Sequence, residues 1–236
     1  MTKEILAVDF GGTFISNKAA DIAHYQWFKV MAMLLNKPEI EKYAGDKDYF
    51  KYVYKIMEDF TGLNQENEEH KNILKRWARS LFAFITIGEV KKLGKNILFK
   101  DFANYLRELK PKYSLAVVSS QPQDSILPIL SILGCEDIFD YIYESSFYEE
   151  PDKYLVLSRF VNENGKPLYY IGNSSDDLEA CRKLKIPLIN VTWDKQDLSV
   201  NYRKKDLIGD FVVNNVEELK KIINDSKSMP KVKNKS

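Results

Sequence analysis

Apolar positions along this chain recur with two different periods. Short uninterrupted runs appear at Ile5-Leu6-Ala7-Val8, Tyr113-Ser114-Leu115-Ala116-Val117-Val118, Pro167-Leu168-Tyr169-Tyr170-Ile171 and Pro187 to Val191, with briefer ones near Phe139 to Tyr143 and at Phe211-Val212-Val213. Runs of this length bounded by polar turns suit strands of a parallel sheet covered on both faces. Elsewhere the spacing is helical. Ala19, Ala20, Ile22, Ala23, Trp27, Val30, Met31 and Leu34 predict a helix closed by Lys37-Pro38, and two more are predicted over about 49–60 and 68–84, separated by the Thr61-Gly62-Leu63-Asn64-Gln65 loop. Further helices are expected near 99–109, 124–133, 151–161, 178–184 and 216–223, alternating with the strands.

The pattern is a βαβ series interrupted once, immediately after its first strand, by a long stretch of helix. It predicts an α/β fold with a Rossmann-like parallel sheet built from residues 1–15 and 96–225, an all-helical cap over 16–95, and a frayed lysine-rich tail over 226–236. Composition supports a real core: of 236 residues, 44% are hydrophobic and 13% aromatic. The 35 basic and 34 acidic side chains leave a net charge of +1, without the basic footprint that holds nucleic acid or an anionic membrane. Cys135 and Cys181 lack metal-ligand spacing, and neither a signal peptide nor an apolar run of spanning length is visible. The expectation is a cytoplasmic protein with free thiols, monomeric or homodimeric, that binds neither nucleic acid nor membrane.

Three strands end in polar clusters: Asp9-Phe10-Gly11-Gly12-Thr13, Ser119-Ser120, and Gly172-Asn173-Ser174-Ser175-Asp176-Asp177. In a parallel sheet the carboxyl ends lie on one rim, where ligands of doubly wound folds bind. Taken singly, the glycine pair reads as a turn, and Ser119 or Asp176 as a helix N-cap. Their convergence points to a site, with glycines that let backbone amides crowd against an anion.

These motifs resemble those of the haloacid dehalogenase superfamily, most of whose members are phosphatases, and the likeness runs from about residue 4 to 225. In that family the first strand ends in Asp-x-Asp-Gly-Thr, the second in Ser or Thr, a Lys commonly precedes Pro-Asp-Pro, and the fourth strand ends in Gly-Asp-x-x-x-Asp. The counterparts are Asp9 to Thr13, Val118-Ser119-Ser120, Glu150-Pro151-Asp152-Lys153 and Gly172 to Asp177. The resemblance implies a Mg2+-dependent hydrolase for a small phosphorylated metabolite, with Asp9 forming an aspartyl-phosphate. The implied metal ligands are Asp9, the Gly11 carbonyl and Asp177, helped by Asp176 or Asn173. Ser119 and the amides of Phe10, Gly11 and Ser120 would hold phosphate oxygens, and Gly12 and Thr13 are counted with them as phosphate-binding residues offering donors from the same loop.

Three positions depart from the family pattern. Gly11 stands where phosphatases keep the second Asp, an acid/base contribution of about 10²–10⁴-fold. Glu150 replaces the usual lysine, an anion expected to repel Asp9 and phosphate, and Lys153 is the candidate to reach the pocket in its place. Asn173 replaces a metal-binding Asp. These changes leave open an impaired protein that binds or regulates. A phosphonatase-like hydrolase would need an amine from the cap, for which Lys42, Lys47, Lys51 and Lys55 are available but read as solvated, and a sugar-kinase-like ATP binder shares only the first motif. His24 and His70 read as structural. Of the aromatic stripe Tyr49, Phe50, Tyr52, Tyr54 and Phe60, any ring facing the sheet rim would give the pocket an apolar wall.

Overall fold

The computed structural model describes residues 3–46, 48–194 and 210–225; Lys47 and the tail 226–236 lie outside the described residues. Six strands form one parallel sheet: β1 (Glu4–Val8), β2 (Tyr113–Pro122), β3 (Tyr141–Ser145), β4 (Tyr169–Gly172), β5 (Leu188–Val191) and β6 (Phe211–Val213), in the spatial order β3-β2-β1-β4-β5-β6. β1 is central, so the loop after it opens at the point where the strand order reverses, the usual ligand crevice of such sheets.

Alternation persists even in the buried centre of this sheet. Leu6 and Val8 of β1 face one side and join a core with Phe102 and Ala103 of α4 (Lys100–Leu109), Ile126 and Ile129 of α5 (Ile126–Leu133), and Leu219 and Ile223 of α8 (Val216–Asp225). Ala7 faces the other side and packs with Val156, Leu157 and Phe160 of α6 (Lys153–Asn164) and with Leu178 of α7 (Ser175–Leu184).

Between β1 and α4 the chain builds the cap from α1 (Lys18–Leu35), a 3-10 helix (Pro38–Gly45), α2 (Phe50–Thr61) and α3 (Glu68–Leu93). Its own core gathers Trp27, Phe28, Met31, Ile40, Ile56 and Leu74. Entry and exit strands of the cap are tied together: Ser16 N donates to Ile97 O at 2.8 Å and Phe99 N to Phe14 O at 3.2 Å.

Several element bounds differ from expectation. α3 runs nine residues past Phe84, because Val90 is buried against the core and the packing overrides the β-branched and glycine-containing Ile85-Thr86-Ile87-Gly88. β2 continues beyond Val118 through an irregularity to pair Pro122 with Ser145. α6 starts at Lys153 rather than Pro151, capped by Asp152, whose carboxylate accepts from Tyr154 N and Leu155 N.

Candidate active site

The start of α6 decides the chemistry of the rim. With Asp152 as the cap, Lys153 occupies the first helical position and its ammonium passes under the sheet edge to contact Asp9 Oδ1. It also lies 2.9 Å from Asp177 Oδ1, an ion pair off the hydrogen-bond axis, and 3.0 Å from the Tyr170 hydroxyl. Tyr170 in turn donates to the Val118 carbonyl at 2.8 Å, beside Ser119. All of these side chains are buried: Asp177 and Tyr170 are 0% exposed, Lys153 5% and Asp9 6%.

One ammonium between two carboxylates leaves one negative charge over. Burial and the Asp177 carboxylate push the Asp9 carboxyl up to about 6, against the pull of Lys153. Lys153 moves up from its ordinary value, because the attraction of Asp177 and Asp9 outweighs the burial that opposes its charge. Tyr170 is pushed well above 10.0 by burial and by both carboxylates, which keeps its hydroxyl a donor.

Asp177 is fixed from behind. Its Oδ2 accepts from Asn173 N and Ser174 N at 3.0 Å each, while Ser174 Oγ accepts from Asp177 N, a reciprocal cap on α7. Gly172 permits this approach, since a Cβ there would lie 2.6 Å from Asp177 Oδ2. Ser119 is buried at the rim, its Oγ accepting from Gln121 N, and Ser120 faces the space under the cap.

The loop after β1 divides its labour. Phe10 N lies against the Asp9 carboxylate. Gly12 N is already spent on Ile15 O at 2.7 Å, and the buried Thr13 hydroxyl donates to Asn173 Oδ1 at 3.2 Å, so these two build the turn rather than offer donors to an anion. That corrects the expectation for Gly12 and Thr13. Asn173 is likewise engaged with the loop, and Asp176 is exposed, lining the space below the cap rather than the buried pair.

Glu150 is the larger correction. Its carboxylate turns away from Asp9 to the cap, where it pairs with Lys75 at 2.7 Å and accepts from the Tyr54 hydroxyl at 3.1 Å. The expected repulsion of Asp9 is therefore not built. Of the cap lysines considered as amines, Lys51 and Lys55 are solvated and pair with Asp46 and with Glu58 and Asp59, and Lys42 lies over the Tyr43 ring. His24 bonds Ala44 O within the cap.

Residues that sequence reasoning passed over complete the rim. Asn17, at the N-terminus of α1, makes no side-chain cap; a Cβ at Gly11 would fall 2.5 Å from its Oδ1, and one at Gly12 would fall 2.9 Å from its Nδ2. Asp194 ties down the segment before α1, accepting from Asn17 N at 2.9 Å and from Ser16 Oγ at 3.4 Å, while Trp193 Nε1 donates to Thr13 O at 3.0 Å. Only the motif-distant position of Trp193 and Asp194 hid them.

Between cap and rim lies a cavity of about 340 Å³, lined on the cap side by rings that include Tyr49, Phe50 and Tyr54, and on the core side by Ser120, Gln121 and Glu150. Tyr52 instead stacks on Tyr43 inside the cap, and Phe60 is exposed.

Comparison with known proteins agrees with this architecture. The profile of haloacid dehalogenase-like hydrolases matches residues 9–191. No curated protein matches the chain in sequence. Similar solved structures include a predicted phosphatase from Clostridium acetobutylicum (19% identity, 95% of this chain and 100% of that one, TM-score 0.62). A haloacid dehalogenase-like family hydrolase from Streptococcus pneumoniae is similar as well (19%, 94% and 98%, 0.59). So is a predicted phosphoglycolate phosphatase from Haemophilus somnus (16%, 94% and 99%, 0.58). With its motifs in order along one sheet rim and its profile matched over most of its length, this chain belongs to the haloacid dehalogenase-like hydrolases.

Proposed function

We propose that the chain is a phosphatase for a small phosphorylated metabolite, acting through an aspartyl-phosphate on Asp9. The observation that carries this reading is the buried Asp9 carboxylate at the end of β1, in contact with the Lys153 ammonium, on the rim whose Ser120 lines the open cavity under the cap. Asp9 attacks phosphorus, the ester P–O bond breaks, and water later cleaves the acyl-phosphate to return the carboxylate. Lys153 draws the anionic phosphoryl group toward Asp9 and stays charged throughout, while Ser119 Oγ and the amides of Phe10, Gly11 and Ser120 are the donors for its oxygens.

Mg2+ fits the residues present. Asp9 and Asp177 carry one negative charge beyond what Lys153 neutralises, and Asp177 Oδ1 lacks an aligned hydrogen bond. Among the described residues no cluster of three or more His, Cys, Asp or Glu occurs, so the protein offers two carboxylates and the Gly11 carbonyl. A ligand set completed by water and phosphate is the habit of Mg2+. Such an ion supplies charge neutralisation at the phosphoryl oxygens.

The test is turnover of p-nitrophenyl phosphate and a panel of phosphorylated metabolites with and without Mg2+, comparing the natural protein with Asp9→Asn. Turnover that falls by at least about 10³-fold in the variant is expected, by analogy with loss of other nucleophiles. Absence of any Asp9-dependent turnover refutes the reading. It would leave a binding or regulatory protein, which Gly11 in the acid position favours.

A further inference from the structure

Two separate features of the rim bear on what leaves when Asp9 attacks. The first is the missing acid. At Gly11, the added Cβ would meet Asn17 Oδ1 at 2.5 Å and Gln121 Nε2 at 3.9 Å, so the ground beside Asp9 is held by two carboxamides, which do not titrate. Glu150, the other carboxylate on the core side of the cavity that is bonded into the cap, is held below its ordinary value: burial pushes it up, and Lys75 with Tyr54 more than reverses this. It stays an anion and has no proton to give.

The second feature is the wall. Trp27 and Phe28 of α1, Tyr49 just before α2, Phe50 and Tyr54 of α2 and Phe82 of α3 line the cavity, with Tyr49 and Phe50 stacked at 4.4 Å between centroids. A flat conjugated ring gains from each aromatic partner beyond its area burial.

We infer that the substrate is an aryl phosphate, whose ester oxygen sits on an aromatic ring seated among the cap rings. The inference rests on the aspartyl-phosphate reading. A phenol ionises near pH ~10, whereas an aliphatic alcohol resembles water, at about 15.7. The Asp9 oxygen bonds to phosphorus and the P–O(aryl) bond breaks with its electron pair on the phenolate. That leaving group takes a proton from solvent, and water then returns Asp9 and inorganic phosphate. An aliphatic alkoxide would need the acid that Gly11 and Asn17 exclude, worth about 10²–10⁴-fold.

Phenyl, benzyl and glycerol phosphates separate the two features, because benzyl phosphate keeps the ring but leaves as an aliphatic alcohol. The expected result is a similar KM for phenyl and benzyl phosphate, a kcat about 10²-fold or more lower for benzyl, and a poor glycerol phosphate in both parameters. Phe50→Leu, which keeps bulk but removes a ring, should raise KM for phenyl phosphate about ten-fold and leave kcat alone. Glycerol phosphate within ten-fold of phenyl phosphate in kcat/KM, or benzyl equal to phenyl in kcat, overturns the inference while leaving the phosphatase reading intact. So does recovery of the acid elsewhere, seen as an aliphatic-ester activity that Asp176→Asn abolishes. If no ester turns over at all, the phosphatase reading falls, and equal binding of phenylphosphonate and methylphosphonate, read by tryptophan fluorescence, removes the ring site too. Ten-fold tighter phenylphosphonate binding would keep the ring site.

Discussion

Removing the ammonium of Lys153 isolates the electrostatic heart of the site. In Lys153→Met the aliphatic stem keeps its packing, but Asp9 and Asp177 face each other in a pocket where neither is more than 6% exposed. Stripping one partner from a buried ion pair costs about 3–5 kcal/mol, which for a chain of this length lowers Tm by roughly 10 °C. The loss must depend on pH with a definite sign. The Asp9 carboxyl, already pushed up to about 6 with Lys153 present, rises further without it, while its unfolded value stays near 3.8. The folded variant therefore holds a proton that the unfolded chain releases, and its stability should climb as pH falls from 8 toward 4, at up to about 1.4 kcal/mol per pH unit. Urea unfolding at pH 5, 6, 7 and 8 reads this directly. Should Lys153→Met fold poorly, the double variant Lys153→Met with Asp9→Asn removes one charge of the like pair and should recover most of the loss. A cost below about 1 kcal/mol at pH 7, or a variant whose stability depends on pH no more steeply than that of the natural protein, refutes the shared-cation arrangement.

In the metal-free protein the Asp9 carboxyl carbon should titrate near 6 by NMR; Mg2+ should move that midpoint down, and kcat/KM in Mg2+ should fall ten-fold per pH unit below the shifted midpoint. Because the folded value lies above 3.8, this group makes the fold more stable as pH drops through 6, the opposite of a salt-bridged surface Asp. Gly12→Ala should cost about 1–3 kcal/mol in urea unfolding, since φ there is +71° and a Cβ would intrude on Asn173 and Asn17. Glu150→Gln should change stability by less than about 1 kcal/mol, the carboxylate being half exposed, yet speed amide exchange in α2 and α3 by loosening the cap from the loop that follows β3.

The strands were legible because both faces of this sheet are covered, which turns each strand into an apolar run ended by a polar cluster. The cap was legible because the periodicity switches from runs to helical spacing after Thr13 and back before Tyr113. What stayed hidden has physical causes. The last turns of α3 pass through Ile85-Thr86-Ile87-Gly88, whose local preference is against helix, and only the burial of Val90 reveals the tertiary contacts that overrule it. The direction of the Asn17 carboxamide toward the Gly11-Gly12 turn follows from the fold alone, and the carboxylate that accepts from the Asn17 backbone N, Asp194, lies 177 positions away in the chain. Gly12 and Thr13 were expected to offer donors because their loop belongs to the motif; the bond to Ile15 O and that to Asn173 show the motif spending them on its own shape.

The relocation of the lysine shows which forces set this site. A cation at the first position of a helix sits at the positive end of the macrodipole, a local penalty of about 0.3–1 kcal/mol. Leaving Asp9 and Asp177 without it costs several times more, so the arrangement that is unfavourable for α6 alone is favourable for the rim. Two consequences follow from the same exchange. Lys153 is held between two carboxylates and the Tyr170 hydroxyl and is driven further from neutrality, which suits it to attract a phosphoryl group and unsuits it to act as an amine nucleophile. Position 150 is released from the sheet edge, and its carboxylate is free to join Lys75 and Tyr54. Glu150, the departure from the family pattern expected to repel Asp9, thus turns outward to hold the cap, while the cation beside Asp9 comes from three residues further on, at the start of α6.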